Sequence, residues 1–130
     1  MHIFVLLKIG QVKGKINFYK LEIDGICEFD EFCEDLETAD ERKTLKTIYA
    51  IMESVANLKY LPNKKFRELK VRKKGDKIKD YEIKKDAYRV YLFKDDVGNI
   101  IVFGSTKNNQ KEDIARLRRL KLEFNRSKEL

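Results

Sequence analysis

Histidine is all but missing from this chain of 130 residues; His2, beside the first methionine, is the single one. Catalysis by a pair of histidines and histidine-rich metal sites are thereby set aside. Tryptophan is absent, proline occurs once, at Pro62, and cysteine twice. Cys27 and Cys33 are spaced neither as C-x-x-C nor as a paired zinc knuckle, and two thiols do not make a disulfide framework. A reducing cytoplasm is the expected compartment. Long hydrophobic runs are lacking too. The longest, Ile3 to Leu7, falls far short of the roughly 20 residues that cross a bilayer, so no membrane span is expected. It has neither a basic flank nor an A-x-A-like cleavage site, and reads as a strand rather than a signal peptide. With no repeat and no Ser/Gly-rich linker, residues 1–130 read as one domain.

Apolar residues make up 42% of the chain and aromatics 11%, enough for one core. The chain carries 29 Lys and Arg against 22 Asp and Glu, a formal +7, which suits a polyanionic partner. The charge is segregated. Residues 28–58 hold three bases and nine acids, residues 59–94 fourteen bases and five acids, and residues 107–130 eight bases and four acids. Such a layout predicts a basic face for an anion and an acidic surface turned away from it.

Ile3–Ile9 and Lys15–Leu21 read as a strand pair turned by Gly10 and Gly14. Phe29, Phe32, Cys33 and Leu36 recur at helical spacing over Glu28–Leu36, which places Cys33 in the core rather than among ligands. Thr38-Ala-Asp-Glu41 is a capping box and starts a second helix, which Leu45, Ile48, Tyr49, Met52, Val55 and Leu58 continue until Pro62 and Asn63 close it. The two helices form an α-hairpin. Alternation then takes over. Tyr81–Lys84 and Tyr88–Phe93 are strands joined by a tight reversal at Asp86-Ala87, and Asp96–Asn99 turns into a third strand, Ile100–Gly104. Adjacent Asp95 and Asp96 read as turn residues rather than metal ligands. Glu112–Phe124 is a terminal helix ringed by Arg116, Arg118, Arg119 and Lys121. The expected class is α+β: an N-terminal strand or hairpin, an α-hairpin, an antiparallel three-strand meander completing a small sheet, and a C-terminal helix.

That order, with its basic meander, resembles the RelE/HigB toxin superfamily, in the branch of phage Gp49-like proteins. The resemblance rests on Phe18-Tyr19-Lys20 followed by Phe29-x-x-Phe32, on Phe66-x-x-Leu69-Lys70 leading into the sheet, on Tyr88-Arg89-Val90-Tyr91, and on Gly104-Ser105-Thr106-Lys107-Asn108-Asn109-Gln110-Lys111, similar to the family's "GFxKKxQK". It covers residues 15 to about 120. Ser105 stands where the family usually has an apolar or aromatic residue, Asn108 replaces its second lysine, its T-P pair before the last helix is missing, and residues 1–9 extend past its usual start. The resemblance implies a type II toxin that cleaves messenger RNA on the ribosome and is restrained by a cognate antitoxin, with no membrane and no small-molecule cofactor. Two other readings share the fold: a ParE-like inhibitor of DNA gyrase, and a nucleic-acid-binding regulator whose site has degenerated.

RNA cleavage by internal transfer needs a base for the 2′-OH proton, an acid for the departing 5′ oxygen, and positive charge on the phosphorane; none of these strictly requires histidine or metal. Cations packed together lower a lysine's pKa, because each disfavours the next one's charge. Strand alternation puts Glu82 with Lys84 and Arg89 with Tyr91, and antiparallel pairing brings Lys84 near Arg89. Arg89 is the expected phosphate and transition-state ligand, since its fork holds two oxygens; a salt bridge to Glu82 is its structural alternative. Lys84 is the expected acid/base. Lys107 and Lys111 would bind the RNA backbone or donate a proton, and Gln110 would orient RNA. Tyr91 could stack on a base or belong to the core.

Overall fold

In the computed structural model, which describes residues 1–129, Phe4–Lys8 (β1) and Phe18–Ile23 (β2) pair antiparallel, with Phe4 opposite Ile23 and Lys8 opposite Tyr19. Gly14 serves close approach rather than the turn: a Cβ there would lie 2.7 Å from the Ala56 Cβ, where the Ile16 amide donates to the Ala56 carbonyl at 3.0 Å. Helix α1 spans Glu28–Asp35 and α2 spans Ala39–Ala56. The Thr38 capping box forms as the sequence predicts, its hydroxyl accepting from the Glu41 amide at 3.1 Å while the Glu41 carboxylate accepts from the Thr38 amide at 3.2 Å. Helix α2 stops two residues before the expected Leu58. The Asn57 side chain donates to the Glu53 and Lys13 carbonyls, and Leu58 adopts a left-handed φ of +60°, so the helix ends well before Pro62.

Three further strands follow as expected in order, and one that was not. Phe66–Glu68 (β3), read from the sequence only as a lead-in, pairs with Asp80–Lys85 (β4), which pairs with Tyr88–Asp95 (β5), and that with Gly98–Thr106 (β6). β2 lies parallel to β6, so the result is one mixed six-stranded sheet in the order β1-β2-β6-β5-β4-β3. It replaces the smaller sheet built on a three-strand meander. A 3₁₀ turn, Lys107–Asn109, leads into α3, Gln110–Ser127, longer at both ends than its apolar spacing marked.

Residues of opposite parity build two cores. Phe18, Ile83, Val90, Leu92 and Ile101 pack with α1 and α2 on one face; Leu21, Tyr91, Phe93, Ile100 and Val102 pack with α3 on the other. A bulge sits on β6 where Tyr91 faces Phe103 but Leu92 faces Ile101. It turns both Val102 and Phe103 toward α3 and brings Ser105 opposite Arg89. Among the described residues no helix is long and apolar enough to cross a membrane.

Candidate functional site

β4 presents Asp80, Glu82 and Lys84 in alternation to the α3 side of the sheet, and the first two are completely buried. A buried carboxylate needs a cation or a full set of donors. Asp80 takes Lys121 Nζ at 2.8 Å and Arg118 Nε at 3.2 Å, both from α3. Glu82 takes Arg67 Nη2 at 2.7 Å from its cross-strand neighbour on β3, and Gln110 Nε2 at 3.0 and 2.8 Å from the first residue of α3. Gln110 thus pins the start of α3 over the Glu82–Tyr91 row.

One row further along the strands lies the pair that alternation predicts. Lys84 stands opposite Arg89, and Arg89 opposite Ser105. The salt bridge weighed for Arg89 does not form, because Arg67 occupies Glu82. Arg89 Nη1 instead donates to the carbonyls of Asp86 at 2.9 Å and Tyr88 at 2.8 Å, bonds that fix the side chain without neutralising it. Among the described residues no carboxylate lies within ion-pair distance of Lys84, Arg89, Lys107 or Lys111. The Lys107 amide donates to the Ala87 carbonyl at 2.8 Å, which sets the 3₁₀ turn beside the β4–β5 reversal, and both Lys107 and Lys111 are exposed. Lys84 and Arg89 are half-buried and form a basic ledge at the hairpin end of the sheet, with Lys107 in the turn beside that hairpin and Lys111 in the first turn of α3.

Two expected roles do not fit this geometry. Tyr91 is wholly buried and packs 5.2 Å from the Phe103 ring, so it offers no platform to a base. Burial, then the nearby charges of Glu82 and Asp113, push its phenol well above the ordinary range. Gln110 spends its amide donors on Glu82 rather than facing solvent for RNA.

Sequence reasoning missed the layer beneath the ledge. Arg67 Nε, Arg89 Nε, Tyr91 Oη and Asp113 Oδ2 are each buried without a hydrogen-bond partner. The Tyr91 phenol feels the charges of Glu82, Asp113, Arg89 and Arg67, so these orphaned atoms share one neighbourhood. Such groups are uncommon in a folded chain and mark a polar centre. The alternation on β4 was available as a signal for Glu82; its partner Arg67 sits on a strand too short to show a period.

The other face of the same sheet end is acidic. A hollow of about 390 Å³ there is lined by Glu28, Glu31, Asp35 and Glu41 around Phe32 and Tyr88. The Tyr88 hydroxyl donates to Glu41 at 2.8 Å and, with the Thr38 amide, holds that carboxyl below its usual range. Arg116 reaches from α3 to Glu28 at 2.8 Å. The charge segregation read from the sequence thus separates an acidic α1/α2 side from a basic ledge. No family model, no curated protein and no solved structure matches the chain.

Proposed function

We propose that the chain is the toxin of a type II toxin–antitoxin pair, an endoribonuclease that cuts messenger RNA on the ribosome in the cytoplasm until a small antitoxin covers its basic ledge. The observation that carries this reading is the Lys84–Arg89 cross-strand pair, two basic side chains opposite each other with, among the described residues, no carboxylate within ion-pair distance of either.

The chemistry follows from the ledge. Arg89, its Nη1 tied to two carbonyls and its Nε buried, offers Nη2 to the scissile phosphate and to the charge that grows on it. Lys84, opposite, acts from its neutral amine: it takes the 2′-OH proton as that oxygen attacks phosphorus, and the ammonium so formed delivers the proton to the 5′ oxygen as the P–O5′ bond breaks. The products are a 2′,3′-cyclic phosphate and a 5′-hydroxyl. Lys107 and Lys111 flank the path of the RNA backbone, and the Arg67–Glu82–Gln110 set holds the floor in place.

Induction of the wild-type chain is expected to arrest growth and to produce transcript cuts within codons, read by primer extension. The Lys84→Ala/Arg89→Ala variant is expected to give neither. Intact transcripts together with stalled gyrase would replace this reading with gyrase inhibition, and intact transcripts without it with a binding-only regulator.

A further inference from the structure

At the opposite end of β4 from the ledge, about 13 Å from Lys84 along the strand, the connection 69–79 carries six bases, Lys70, Arg72, Lys73, Lys74, Lys77 and Lys79, and one acid, Asp76. Arg72 is occupied by Glu68 at 3.3 Å. The five lysines are exposed, and among the described residues none has a carboxylate within ion-pair distance. Asp76 does not offset them, because it turns inward to Lys121 Nζ at 2.7 Å.

This segment is held from beneath. Arg118 donates to the carbonyls of Leu69, at 3.0 Å, and Val71, and Lys121 donates to that of Ile78 at 2.7 Å. The same two cations are anchored on the buried Asp80. Buried ion pairs of this kind contribute little net stability; what they do fix is geometry. The geometry fixed here keeps like charges together on one surface despite their mutual repulsion.

We infer that the connection 69–79 is a docking surface for the phosphate backbone of base-paired RNA, separate from the cleavage ledge. The choice of RNA over DNA rests on the proposed function. The choice of a phosphate backbone rests on composition. Protein interfaces centre on aromatic or aliphatic anchors and are depleted in lysine, and the only exposed apolar side chain here is Val71. Single-stranded RNA is held on aromatic platforms, and the connection has no aromatic residue. Lysines act as point charges that follow phosphates without reading bases, and duplex RNA is recognised chiefly through its shape, phosphates and 2′-hydroxyls.

The test is fluorescence anisotropy with a labelled RNA hairpin of roughly 20 base pairs, longer than the ~16 that one duplex-binding domain spans. Lys73→Ala/Lys74→Ala/Lys77→Ala is expected to weaken binding about ten-fold or more at roughly 0.1 M salt and to lower the salt slope by about 2–3. Lys43→Ala/Lys46→Ala/Lys59→Ala removes the same charge from exposed positions elsewhere and is expected to stay within about two-fold of wild type. Equal binding by the two triple variants overturns the inference. So does tighter binding of duplex DNA, or stronger competition by polyglutamate than by RNA. A wild-type chain that cuts no message yet binds the hairpin with the expected pattern refutes the proposed function and upholds the docking surface. An active chain with an unaffected loop variant does the reverse.

Discussion

Asp80→Asn keeps the shape of a completely buried side chain and removes its charge. Lys121, 3% exposed, then loses its contact at 2.8 Å and retains only Asp76 at 2.7 Å and the Ile78 carbonyl, while Arg118 keeps an amide oxygen in place of a carboxylate. Breaking one partner of a buried pair costs about 3–5 kcal/mol where the other ion is left uncompensated, and because Lys121 keeps Asp76 the lower end, about 3 kcal/mol, is expected. That is a large share of the ~5–15 kcal/mol that holds a domain together. It corresponds to a fall in Tm of roughly 10–20 °C at this chain length. Urea unfolding at constant m is the assay, with the midpoint carrying the effect. Asp80→Asn/Lys121→Met removes the buried cation, leaves Asp76 to its partly exposed surroundings, and is expected to regain at least about half of the loss. A single variant that loses less than about 1 kcal/mol, or a double variant no better than the single, would refute the view that this pair clamps the connection 69–79 to α3.

Thr38→Ala deletes the hydroxyl that caps α2 and is expected to cost about 0.5–2 kcal/mol by the same unfolding assay. Gly98→Ala places a Cβ 2.2 Å from the Asn17 carbonyl at a φ of +147°; it should destabilise by more than the ~1–3 kcal/mol of backbone strain alone and speed hydrogen exchange at the Asn99 amide, which donates to that carbonyl. Burial pushes the Cys33 thiol up to about 11, so its thiolate is disfavoured in the folded chain. The stability this group contributes is complete below the ordinary thiol value of 9.0 and is lost as pH rises toward about 11. At pH 8, Cys33 alkylation is expected to run roughly 100-fold slower in the native than in the unfolded chain, the ratio of the two thiolate populations. Equal rates would show the thiol to be solvated.

The Lys84–Arg89 row was legible because two residues, Asp86 and Ala87, close the hairpin and fix its register, and period-two alternation then fixes the face. The α2 start was legible because a capping box is a local chemical signal. Elements defined by distant partners were not. β3 is three residues long and exists through its pairing with Tyr81–Ile83, and the parallel pairing of β2 with β6 joins segments some 80 residues apart. The same reason hid the polar layer: Gln110 reaches Glu82 across 28 residues, and Arg67 reaches it across a ladder that no periodicity announced. Tyr91 and Arg89 share a face, as alternation requires, yet only the first is sealed in. Which of them α3 covers depends on where that helix begins, and the 3₁₀ turn at Lys107–Asn109 sets that point.

The ledge itself is tested most directly by single-turnover cleavage of ribosome-bound message with the purified chain and its Arg89→Ala and Lys84→Ala variants, with the product ends identified. The wild-type chain should leave 2′,3′-cyclic phosphate ends, and each variant should be slower by about 10²-fold or more. Cleavage at the wild-type rate by both variants, or no cleavage by any of the three, would contradict the assignment of catalysis to these two cations.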